Sequence, residues 1–134
     1  MARKVGFSAV VTLMALLGSV AGVAGGQPDK PCREHPKLAA ACFTIHARMR
    51  YYNGAPSVRL WPIGTDRLLG VSEGQFALPG YENLPVSLRE TLDHRREIYA
   101  DFVVCPFTPS EPSVMRLVCV DSATKIVTKP VVAW

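Results

Sequence analysis

CFTIHARMRYYNGAPSVRLWPI, residues 42–63, carries the strongest structural pattern in the chain. Phe43, Ile45, Ala47, Met49 and Tyr51 alternate with Thr44, His46, Arg48, Arg50 and Tyr52. A period of two is the mark of a strand with one face buried and one in water. Asn53-Gly54 follows, a dipeptide that accepts the positive φ of a tight hairpin turn. The chain then returns through Val58, Leu60 and Ile63. An antiparallel hairpin is therefore expected, with an apolar inner face and an outer face rich in guanidinium and aromatic groups.

Working outward, Pro62 and Gly64-Thr65-Asp66 stop the second strand, and Arg67 to Val71 supplies a short third one bounded by turn signals at Gly70 and Gly74. Residues 75–83, with Pro79-Gly80 inside them, read as a loop. Pro85 is suited to open a helix, and Leu88 and Leu92 give that helix an apolar stripe up to about His94. Ile98 to Phe107 is rich in β-branched and aromatic residues and reads as a fourth strand, Val114 to Val120 as a fifth, and Lys125 to Thr128 as a short sixth before a tail from Pro130 to Trp134. On the other side, residues 27–41 are polar and punctuated by Pro28, Pro31 and Pro36, an irregular lead-in to a single β-rich domain over 42–134.

Three strands, a helix and two more strands is the element order of the small OB-like β-barrel. An all-β domain with one short helix is the expected class, and a β-sandwich or another compact antiparallel sheet, cystatin-like included, fits the same composition. The run Cys42 to Ile63, together with Asp101-Phe102-Val103-Val104-Cys105-Pro106 and Val118-Cys119-Val120, resembles a group of exported bacterial small β-domain proteins to which no activity is attached. That resemblance spans most of the chain beyond residue 26. It implies export and a compact β domain, and it brings no catalytic signature.

The N-terminal residues agree with export. Arg3 and Lys4 precede an apolar centre from Ala9 to Leu17 and a small-residue exit, Ala21-Gly22-Val23-Ala24-Gly25-Gly26, the three zones of a cleavable signal over residues 1–26 with the cut near Gln27. The competing reading is a retained anchor, since apolar character runs from Val5 to Val23. The 134 residues carry a formal charge of +4. Beyond residue 26 thirteen bases face eleven acids, a balance too mild to call for nucleic acid or a membrane surface. Terminal Trp134 matches the aromatic ending of outer-membrane barrels, but those need at least eight long strands.

All four cysteines, Cys32, Cys42, Cys105 and Cys119, follow the signal, and an oxidising destination favours two disulfides. Of the three pairings, Cys105 with Cys119 across the fourth and fifth strands, and Cys32 with Cys42 in the lead-in, are the expected pair. Closing loops of that length contributes about 3 kcal/mol each in the chain-entropy model. Cys32, His35, Cys42 and His46 also have spacings compatible with a Cys2His2 zinc site, a reading that oxidation of the thiols opposes.

Function is then sought on the outer face of the hairpin. Arg48, Arg50, Tyr52, Arg59 and Trp61 are the expected binding residues, because guanidinium groups beside aromatic rings hold anions, sugars or extended peptides. The plainer alternative is that these side chains merely cover the sheet with their stems and stabilise cross-strand pairs. The expected role is that of a non-catalytic, monomeric or weakly associating binding or interaction module for an envelope or extracellular ligand (protein, peptide, glycan or small anion), with no cofactor. The alternative is a small hydrolase-like enzyme built on His46 or His94 and a nearby carboxylate. Other titratable candidates are His35, Glu90, Asp93, Glu97 and Asp101, none of them in a recognised catalytic motif.

Overall fold

A computed structural model describes residues 30–132, and the expected signal over 1–26 lies outside them. Among the described residues the chain is mostly β with one short helix. The strands are β1 (Phe43–Tyr51), β2 (Val58–Pro62), β3 (Leu69–Val71), β4 (Arg96–Pro106) and β5 (Arg116–Pro130), and helix α1 (Val86–Thr91) lies between β3 and β4. A single 3-10 turn, Cys32–Glu34, precedes them. The five strands form one sheet that closes on itself in a ring, in the order β1-β2-β3-β5-β4. Neighbours are antiparallel except β3 and β5, which pair in parallel from Leu69↔Arg116 to Val71↔Val118.

Alternation along β1 does what the sequence leads one to expect. Ala47 and Met49 are fully buried inside the ring with Leu60, Ile98, Ala100, Phe102, Val104 and Val118. Leu84, Leu88 and Leu92 join the same cluster from the α1 region. The end of the ring formed by the close of β1, the start of β2 and the close of β3 is thereby stoppered. At the opposite end, Phe43 and Ile45 face inward but are only half-buried.

Several local expectations are corrected. The β1–β2 connection is a six-residue loop, Tyr52 to Ser57, closed by Tyr52 N–H donating to Ser57 O at 2.7 Å. Gly54 takes the positive φ, 94°, and Asn53 does not; Pro56 cannot donate to a ladder, so pairing resumes only at Val58. The third strand is Leu69–Val71 alone, because Arg67 turns aside to donate to Ser110 Oγ at 3.1 Å. Gly70 is no turn residue but the centre of β3, where an added Cβ would run into the Pro56 ring and the Met115 sulfur. The helix stops at Thr91, after which Asp93 Oδ1 accepts the Arg95 N–H at 2.8 Å and turns the chain into β4. The expected fifth and sixth strands are one continuous β5. It absorbs register shifts against β4 at Tyr99/Asp101 and Val103/Val104, and Lys125 sits at φ 54°.

The expected disulfide pairing is overturned. Cys32 bonds Cys119 and Cys42 bonds Cys105, with Cα separations of 5.9 and 4.1 Å. Cys105 and Cys119 do stand opposite each other on β4 and β5, yet each reaches to the N-terminal segment instead. The reason lies in the β1–β4 register: Phe43↔Val104 makes Cys42 the next neighbour of Cys105. The 3-10 turn then carries Cys32 over Cys119. These bridges close loops of 87 and 63 residues, and loops so long are worth about 4.5 kcal/mol each, taken alone, in the chain-entropy model. Two disulfides are typical of oxidising compartments.

Around the bridges a second apolar cluster forms, from Cys32, Cys105, Phe107 and Cys119 with Leu38, Cys42, Phe76 and Leu117 packed against it. Phe76 stacks on Phe107 at 4.6 Å, and buried His35 meets both Phe107 and Tyr81 at 4.7 Å. Lys37 N–H donates to His35 Nδ1, so Nε2 is the nitrogen that donates to Phe76 O at 3.0 Å. Among the described residues no helix is long and apolar enough to cross a membrane.

Candidate functional site

The outward positions of β1, β2 and β4 meet on one surface. Register sets Arg48 between Trp61 on β2 and Tyr99 on β4, and Arg50 opposite Arg59. All five sequence-expected residues are brought together here. The Arg48 guanidinium lies 5.0 Å from the Trp61 ring centre, while Arg59 and Arg50 lie 5.0 and 6.0 Å from that of Tyr52. Each such stack is worth about 0.5–1 kcal/mol at an exposed site, enough to hold a side chain in place but not to hold a fold together.

β4 adds two groups, and β5 one, that the sequence alone does not assign to the face. Glu97 is buried beneath it, its carboxylate 3.7 Å from Arg48 Nε and 4.0 Å from Arg50 Nε. Tyr99 donates its hydroxyl to Glu97 at 3.2 Å, and Lys129 of β5 lies 4.5 Å from the Tyr99 ring centre. Their outward direction follows from Ile98 and Ala100 pointing inward. What the sequence withheld was the closure of the ring, which makes β4 a neighbour of β1.

Hydrogen bonding fixes the positions further. Arg48 Nη2 donates to Tyr52 Oη at 3.2 Å, Arg59 Nε to Pro56 O at 2.9 Å, and Trp61 Nε1 to Thr65 O at 2.7 Å. Burial acts to lower the Arg48 pKa, but the bond to Tyr52 and the nearby Tyr52 and Glu97 charges outweigh it and hold the guanidinium above its ordinary value. Glu97 thus pairs with Arg48 and Arg50 alone, Arg59 and Lys129 have no carboxylate within salt-bridge distance among the described residues, and the face carries an excess of positive charge on preset aromatic platforms.

The catalytic candidates fare differently. His46 and Asp101 are paired across β1 and β4, with Nδ1 2.8 Å from Oδ1, and Lys125 Nζ is 3.6 Å from the other carboxylate oxygen. The bond to His46 leads in lowering the Asp101 pKa, with Lys125 adding to it. This pair stands on open sheet, in neither of two clefts found at the ends of the ring. His94 lies tilted against Tyr51, ring centres 5.0 Å apart, and Asp93 is turned to Arg95 and Arg96. Glu90 is exposed on α1. Cys32 and Cys42 belong to separate bridges while His35 is bonded to Phe76 O, so the Cys2His2 set is not assembled. Among the described residues no group of three His, Cys, Asp or Glu is arranged to hold a metal.

A scan of protein-family models, a search of curated proteins and a search of solved structures each return no match to this chain.

Proposed function

We propose that the chain is an exported, non-catalytic binding module that takes an anionic ligand on its Arg and aromatic face. One observation carries the reading: four cations are set against aromatic rings while the one buried carboxylate, Glu97, pairs with Arg48 and Arg50 alone, which leaves donors and charge to spare toward solvent. The ring order β1-β2-β3-β5-β4 with a helix before β4 supports an OB-like barrel, a fold that often binds through its sheet face. Two disulfides support residence in the periplasm or secreted space, after removal of residues 1–26 as a signal, as in the exported group that the sequence resembles.

The test is retention on a heparin column. Arg48→Ala/Arg50→Ala/Arg59→Ala is expected to elute at clearly lower salt than the native protein. Arg33→Ala/Arg95→Ala/Arg96→Ala, which removes equal charge elsewhere, is expected to elute close to the native position. Equal losses from both sets would reduce the face to net charge and end the reading.

The 2.8 Å His46–Asp101 pair favours a second reading, a small hydrolase. Its open position works against it, since a general base needs a substrate held beside it. Equal rates of p-nitrophenyl acetate hydrolysis by the native protein and His46→Ala would dispose of it.

A further inference from the structure

The two ends of the ring are unlike. One is stoppered by Leu84, Leu88 and Leu92, each under 8 % exposed, and has outside that stopper a smaller cleft of about 330 Å³. The other opens into a cleft of about 680 Å³ between the β2–β3 and β4–β5 loops, a volume in the range of small-molecule sites. Its floor is apolar: Phe43 and Ile45, the inward residues of β1 that the interior does not cover, with Leu69, while Met115 lines the cleft from the loop side and turns its sulfur to Gly70 on the outer face of β3.

Charge at this mouth is unevenly placed. Asp66, Arg67 and Glu111 are exposed on the loops, where water screens them, and Arg67 is bonded to Ser110. Arg116 is half-buried and lies 5.3 Å from the Phe43 ring centre, directly against the apolar floor. Its Nε is taken by Thr108 O at 2.9 Å, and among the described residues no carboxylate is within salt-bridge distance of it. A guanidinium that adjoins apolar surface and lacks a counter-charge complements a molecule with an apolar body and an anionic head.

We propose that the open mouth of the ring binds a small amphipathic anion, its apolar body on Phe43, Ile45 and Leu69 and its carboxylate or sulfonate on Arg116. This site is separate from the outer face and independent of its ligand.

The probes are 1-anilinonaphthalene-8-sulfonate, whose fluorescence rises on leaving water, and decanoate and decanol as competitors. The native protein is expected to bind the dye saturably, with decanoate displacing it at a concentration at least ten-fold below that of decanol. Ile45→Glu, on the floor of the cleft, should weaken dye binding at least ten-fold. Val114→Glu, at an exposed loop position lining the cleft, provides a second block should Ile45→Glu fail to give a native circular dichroism spectrum. Arg116→Gln should erase the preference for decanoate while decanol still competes. Equal displacement by decanoate and decanol in the native protein would overturn the proposal. So would dye binding that survives both cleft substitutions but is lost in Arg48→Ala/Arg50→Ala/Arg59→Ala, since the dye would then sit on the outer face.

Discussion

The molecule has two apolar clusters, and they are held by different means. Inside the ring, aliphatic and aromatic side chains from all five strands and α1 exclude water from one another, with Phe102 the largest fully buried member. Outside it, the layer of Phe76, Phe107 and His35 is roofed by the N-terminal segment and tied down by Cys32–Cys119 and Cys42–Cys105. The first is cohesive through shape and area, the second through covalent staples and a few directed bonds. In a domain this small both are needed, because the interior alone offers a modest core.

Phe102→Ala tests the interior and should have the largest effect, a loss of about 3–5 kcal/mol in urea unfolding. A loss below about 1 kcal/mol would mean that the ring does not pack as described. Cys32→Ser/Cys119→Ser tests the outer layer and should cost about 2–5 kcal/mol. Non-reducing peptide mapping should recover the same two linkages, and a Cys105–Cys119 peptide would break the contrast outright. His35→Ala removes the bond to Phe76 O and two aromatic contacts from that layer, with an expected loss of about 1–3 kcal/mol.

Arg50→Ala or Arg59→Ala, which touches neither cluster, should shift stability by less than about 1 kcal/mol. Acid should have the smallest effect. Bonds from His46 lower the Asp101 pKa, the Arg95 N–H lowers that of Asp93, and the Ser57 hydroxyl and N–H lower that of Glu73. A carboxylate depressed in the folded state adds stability above its unfolded pKa, near 4, and loses it as the pH falls through the folded value. The melting temperature should therefore decline below about pH 4, and Asp101→Asn should flatten part of that decline.

The interior cluster was largely legible in the sequence. Alternation in β1 separates Ala47 and Met49 from Arg48 and Arg50, and the Leu88–Leu92 spacing marks the turn that closes one end. The outer cluster was not. Cys105 follows inward-facing Val104, so alternation turns it outward, and nothing local says that residues 30–42 will fold over it. The β1–β4 pairing implied by an OB-like element order would have set Cys42 beside Cys105, but a pairing judged from proximity in sequence favoured shorter loops. Glu97 was hidden for the same reason: its partners, Arg48 and Arg50, are neighbours only after the ring closes.

The two bridges are nested, Cys42–Cys105 lying wholly within the span of Cys32–Cys119. A protease that severs the backbone once, anywhere between those outer cysteines, frees no fragment, because the pieces stay tethered through sulfur. Such a nicked molecule would run as one species until a reductant parted it.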